Sequence, residues 1–360
     1  MASTFKNFAA SDVATTRTLL HEAIPVTGTI VSGTYADENI KYFSSGLFVS
    51  VFDYPFLSSS ANHIFDITAG YASGSAFQGT QADGFVNVQD KKKINIYNQF
   101  AQVLVPYDVT GNIQQFDQDG NLTAGGTKMD SCFFLSFGRL LSKDEIKKGS
   151  FRLGVFATTP DGSTLPEDRT GQQTIGDYGA ATSFLQNSPT GEYGLLYTGS
   201  DDAGQTSLSV GHVYYQAGIA VLTSSVFSNA LPTMTSASAM STIITSSVRD
   251  VFVSGTIDEC ANGIRYAYDN LDFNNTTELN STVYFCRANT SEYNYSSNPT
   301  YLSASKIIVK GDNSFAEPVS YITTVGLYSP DNELLAVAKL SEPLKKTPSN
   351  ELTLRVRLDY

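Results

Sequence analysis

The end of the chain limits the fold most. Leu352, Leu354, Val356, Leu358 and Tyr360 alternate with Thr353, Arg355, Arg357 and Asp359. Successive side chains leave a β-strand on opposite faces, so a period of two describes a strand with one apolar and one wet face. Such a strand needs partners, and candidates stand just upstream. Residues 321–328 and 334–340 flank Ser329-Pro330-Asp331-Asn332-Glu333, a reverse-turn sequence, and together read as a β-hairpin. A terminal strand beside such a hairpin is expected to be tied into a sheet.

Composition extends this reading to the whole chain of 360 residues. Charged residues make up only 16% and hydrophobic residues 41%, against a usual charged share of roughly 25%. Polarity therefore comes from Ser, Thr, Asn, Gln and Gly, which suits turn-rich β structure. The expected class is mainly β (β-rich α+β), with antiparallel sheets or a sandwich, a few short helices and long loops. Helices are predicted at three places. Residues 11–24 have Ser11 as cap, Val13, Leu20 and Ile24 as a stripe, and Pro25 as a stop. Residues 93–105 repeat Ile96, Phe100 and Val103 at helical spacing. Residues 142–149 offer a capping box, Ser142 with Glu145, and a left-handed stop at Gly149. The Ser/Thr-dense residues 233–248 are given to a further helix. Residues 1–157 are expected to form a β-rich body, 158–248 an elaborated insertion or second subdomain, and 249–360 a β domain ending in the hairpin and last strand.

A net charge of -12 gives no overall field to attract nucleic acid. The densest basic run, Lys91-Lys92-Lys93, reads as a solvated helix entry. Cys132, Cys260 and Cys286 are odd in number and far apart, so buried or inert thiols in a reducing cytoplasm are expected rather than zinc. The first residues lack a secretory pattern, and no stretch reaches the roughly 20 apolar residues of a membrane span. A soluble protein without a membrane partner is the expectation.

Catalytic patterns are missing. His21, His63 and His212 fall in no metal or triad spacing. No nucleophile elbow and no phosphate loop occurs. Asp117-Gln118-Asp119-Gly120-Asn121 resembles the start of a calcium loop, but Lys128 stands where a bidentate acid would be needed, so it reads as a turn. The chain has no Trp to face a sugar. No catalytic, cofactor-binding or metal-binding residue is therefore assigned, and the expectation is a protein that is not an enzyme and carries no cofactor.

Tyrosine (20) and phenylalanine (22) are abundant. Aromatic residues set among Ser and Asn make adaptable contact surfaces. Tyr284, Tyr293, Tyr295, Tyr301, Tyr328 and Tyr360 are the interface candidates.

Several segments resemble one protein family. They are residues 15–24, 54–66 (opening Tyr54-Pro55-Phe56-Leu57), 143–151, Phe285-Cys286-Arg287-Ala288, 293–300 and 321–328 (closing Val325-Gly326-Leu327-Tyr328). The family is that of virion structural proteins of contractile-tailed phages infecting marine cyanobacteria and their relatives. The terminal hairpin is similar to one in baseplate and tail-fibre attachment proteins. The resemblance implies a structural component of a tailed-phage virion, assembled in the host cytoplasm, multicopy or homo-oligomeric, with other virion proteins as partners and no direct nucleic-acid contact. Tail or baseplate is the first expected position, with head, neck or decoration as the alternative. A receptor-binding or glycan-degrading tail protein and a bacterial surface β protein are the remaining readings.

Overall fold

The computed structural model describes residues 6–32, 35–74, 88–122, 125–156, 172–199, 209–227, 231–233, 244–246, 252, 255–304, 306–309 and 316–360. In chain order the first elements are β1 (Val13–Thr27), α1 (Gly28–Ser32), β2 (Ile40–Tyr42), β3 (Val49–Phe52), β4 (His63–Tyr71), α2 (Val88–Leu104), β5 (Ser131–Phe137), α3 (Arg139–Ser142), β6 (Glu145–Ile146) and β7 (Arg152–Phe156). Then come β8 (Gln172–Gly176), β9 (Leu185–Ser188), β10 (Gly191–Thr198), β11 (Gly211–Tyr214), β12 (Ile219–Thr223), β13 (Leu231–Thr233), β14 (Ile244–Ser246) and α4 (Ile257–Ala267). The last are β15 (Tyr268–Ala288), β16 (Leu302–Ser303), β17 (Lys306–Ile307), β18 (Ser320–Tyr328), β19 (Leu334–Lys346) and β20 (Leu352–Asp359). The protein is mainly β, with antiparallel sheets.

The chain forms two compact units. Residues 20–277 make the larger, and residues 1–19 with 278–360 the smaller. Residues 1–157 and 249–360 thus each contribute to both.

In the larger unit the strand order is β15-β7-β8-β10-β11-β12-β5-β4-β3-β2, and these ladders are antiparallel. Distant members of this order share one core. The Phe137 ring of β5 lies 5.3 Å from Phe273 of β15, and Phe65 of β4 lies 6.0 Å from Tyr268. The ladder must therefore fold back on itself as a sandwich, with the aromatic core between its two faces. Burying each such ring contributes about 2 kcal/mol. β8, β10, β11 and β12 occupy the middle of this order, so these strands of 158–248 are integral to the sheet, whereas β13 and β14 pair with each other as a separate two-stranded sheet.

β5 is buried on both faces. Phe133, Leu135 and Phe137 enter the sandwich core, whereas Cys132 and Phe134 enter a second cluster with Ile96, Tyr97 and Leu104 of α2. The predicted helix at 93–105 is present, beginning earlier, at Val88. Gly70 of β4 allows its close approach: a Cβ there would meet Lys93 O at 2.5 Å and Tyr97 N at 2.8 Å. The basic run is not wholly a solvated helix entry. Lys93 is fully buried and donates to the carbonyl oxygens of Phe252 (2.5 Å) and Gly255 (2.6 Å). α4 is buried along nearly its whole length, and its Arg265 pairs with Asp37 at 2.9 Å and donates to Val31 O.

Two predicted helices are corrected. Residues 11–24 are not a helix: beyond a short 3-10 turn the chain is strand β1, which lies beside β15. Thr15, Thr16 and Thr18 are β-branched and favour a pleated surface, and the long partner strand decides the outcome. Residues 142–149 are not a helix either. Ser142 closes α3, Lys143 takes φ 52°, and the amides of Asp144 and Lys147 donate to Thr276 O and Asn274 O of β15. Glu145 lies in β6, paired with Thr276 of β15, and Ser142 N donates to Gly138 O, so no capping box forms there. Within 233–248, Ile244–Ser246 is a strand paired with Leu231–Thr233 rather than part of a helix, and 234–243 and 247–248 lie outside the described residues.

Candidate assembly surface

The smaller unit is built on the distal half of β15. Its residues 281–288 pair antiparallel with β20 from Ser281↔Asp359 to Ala288↔Leu352. The predicted terminal strand is therefore present, and its alternating side chains are half-buried and exposed in turn. The predicted hairpin is also present, as β18 and β19. Its turn follows from the residues foreseen. Asn332 adopts φ 65°, which asparagine tolerates, and Asn332 N and Glu333 N donate to Ser329 O and Ser329 Oγ.

Residues 6–12 are pinned against the end of β15 and the residues that follow it. Lys6 Nζ donates to Arg287 O at 2.8 Å and pairs with Glu292 at 2.5 Å, which lowers the Glu292 pKa. Asp12 pairs with Arg287 at 2.7 Å, and the Phe8 ring lies 5.4 Å from that of Tyr284. Between this wall and β18 runs a groove of about 660 Å³, lined by residues 6–8, 285–288 and 320–328 among others.

The two hairpin strands differ. β18 reads Ser-Tyr-Ile-Thr-Thr-Val-Gly-Leu-Tyr, without a charge or a proline. β19 carries Lys339, Glu342, Pro343, Lys345 and Lys346, and the register jumps between Ile322↔Leu344 and Thr324↔Lys339 and again near its start. Among the described residues β18 pairs with β19 alone. Tyr321, Leu334, Leu335 and Val337 are exposed, Leu335 by 68%.

Of the six predicted tyrosines, the structure brings Tyr293 and Tyr328 to the groove. Tyr284 is half-buried behind Phe8. Tyr295 and Tyr301 are exposed but do not line the groove, and Tyr360, also exposed, bonds Thr282 Oγ1 through its hydroxyl at 3.0 Å. Sequence reasoning missed Phe8, Tyr321, Leu335 and Val337. The absence of any charge in residues 320–328, beside a strand rich in charge, was the available signal.

The strongly perturbed groups of the larger unit are enclosed rather than presented. Burial lowers the His212 pKa to about 4 and raises the Cys260 thiol to about 12. His212 is walled by Phe116, Tyr193 and Tyr214. Asp117 pairs with Lys128 at 2.6 Å, and Gly120 N donates to Asp117 O, as the turn reading requires. Among the described residues no group of three or more His, Cys, Asp and Glu is placed to hold a metal ion, and no helix is long and apolar enough to cross a membrane. Comparison with known proteins gives no match: no family model, no curated protein and no solved structure matches the chain.

Proposed function

We propose that the chain is a structural component of a tailed-phage virion, placed in the tail or baseplate and acting by protein–protein assembly. The observation that supports this reading is the β18–β19 hairpin. A two-stranded ribbon is marginal alone in water, and this one exposes Tyr321, Leu334, Leu335 and Val337. A ribbon with exposed apolar side chains and one unblunted edge gains most when other chains cover it. The partners are other virion proteins, with the chain in several copies per particle. The acidic balance favours contacts with protein over contacts with the packaged nucleic acid.

Cryo-electron microscopy of intact particles tests the proposal. Density for the chain at the tail end, with the hairpin covered by neighbours, is the expected result. Density in the head or neck would overturn the placement and keep the structural role. A chain absent from particles would overturn both.

A further inference from the structure

We infer that the groove of the smaller unit is a strand-receiving slot: a single extended, uncharged segment of a second polypeptide pairs with β18 along residues 321–327. The inference rests on the assembly reading and specifies one contact through which assembly works.

The two hairpin edges carry the argument. Exposed edges are ordinarily blunted by charge, proline or bulges, because bare strand backbone recruits other strands. β19 has all three devices, and β18 has none. The bare edge is also the one that lines the groove.

The groove's form selects the occupant. Residues 6–8 and 285–288 line it together with β18, and no residue of β19 does, so the occupant meets the hairpin through β18. The edge along 321–327 is about 20 Å long at ~3.3 Å per residue. Backbone pairing supplies the affinity in strand addition, and alternate side chains supply the fit. Phe8, Phe285, Tyr293 and Tyr321 offer apolar contact to those alternate side chains.

Charge points the same way. Lys6 is paired with Glu292 and Arg287 with Asp12, so the charges at the groove are already satisfied. A charged segment would lose hydration without gaining a counter-ion, whereas an uncharged one would not.

A suitable probe is an end-blocked peptide of alternating valine and threonine, about six residues to match ~20 Å of strand, with a lysine tail for solubility. Hydrogen exchange is measured on the full chain with and without it. Amides within 321–327 should exchange about tenfold more slowly with the peptide present. A peptide methylated on alternate backbone nitrogens should give no protection, and neither should Thr323→Lys with the unmodified peptide. Unchanged exchange, or equal protection by the methylated peptide, would overturn the slot. Particle location decides the assembly reading separately: a particle-borne chain whose β18 never gains protection would sink the slot alone.

Discussion

Tyr215 Oη donates a hydrogen bond to Asp177 Oδ2 across 2.9 Å, with both residues fully enclosed in the larger unit. Asp177 also accepts from Gly149 N, Phe151 N and Arg152 Nη1. These donors favour the carboxylate, yet burial outweighs them and lifts the Asp177 pKa to about 6. Burial moves His212 the opposite way, to about 4. Neither residue meets solvent, so both act on stability.

Their pH dependences have opposite signs. A carboxyl with a raised folded pKa supports folding below its ordinary 3.8 and loses that support as pH rises through about 6. A histidine with a depressed folded pKa supports folding above 6.5 and loses that support as pH falls through about 4. Relative to the parent, Asp177→Asn should therefore gain about 2 kcal/mol between pH 4 and 6, and His212→Phe should gain as pH falls from 6.5 to 4. Urea midpoints across this range are the measurement. A pH-independent offset for either variant would refute its assignment.

Gly70→Ala should lift α2 from β4. The added Cβ meets backbone atoms, Lys93 O and Tyr97 N, which cannot rotate away. A loss of about 2–3 kcal/mol in chemical denaturation is expected, as for overpacking elsewhere. A loss below about 0.5 kcal/mol, the range of ordinary surface changes, would show that the helix does not rest on this glycine.

Thr256→Ala should remove the side-chain half of the capping box that starts α4, where Thr256 Oγ1 accepts from Glu259 N and Glu259 Oε2 accepts from Thr256 N. About 1 kcal/mol should be lost, and Thr256→Ser should restore most of it. Equal losses in both variants would assign the effect to the methyl group instead.

The same capping box shows what was legible. Thr256-x-x-Glu259 announces a helix that the sequence reading passed over, while Ser142-x-x-Glu145 announces one that does not form. Local pattern cannot tell them apart, because β15 claims the amides after Ser142 and leaves those after Thr256 to the helix. Period-two strands near the C-terminus were readable because one face of each is wet. β5, buried on both faces, lacks that contrast. Lys93 was unreadable for a similar reason: only tertiary packing brings the carbonyls of Phe252 and Gly255 to its ammonium. Within the candidate surface, the hairpin and two of six tyrosines followed from sequence. The groove depends on Lys6 and Asp12 meeting residues more than 270 positions away, which no local pattern records.

The assembly reading makes a prediction that stability cannot mimic. Leu335 and Val337 are exposed by 68% and 52%, so replacing both, as Leu335→Glu with Val337→Lys, keeps the net charge and removes no core contact. Such surface changes usually alter stability by less than about 0.5 kcal/mol. An isolated double variant should therefore unfold like the parent. Placed among its partners it should fail, because a charge pair on the covered face must be desolvated at the interface. Particles grown with the variant should carry much less of the chain than parental particles do, measured by quantitative mass spectrometry. Leu57→Glu, at an 89%-exposed site of the larger unit, is the control and should be incorporated normally. Normal incorporation of the double variant would show that the hairpin face is not where the chain meets its neighbours.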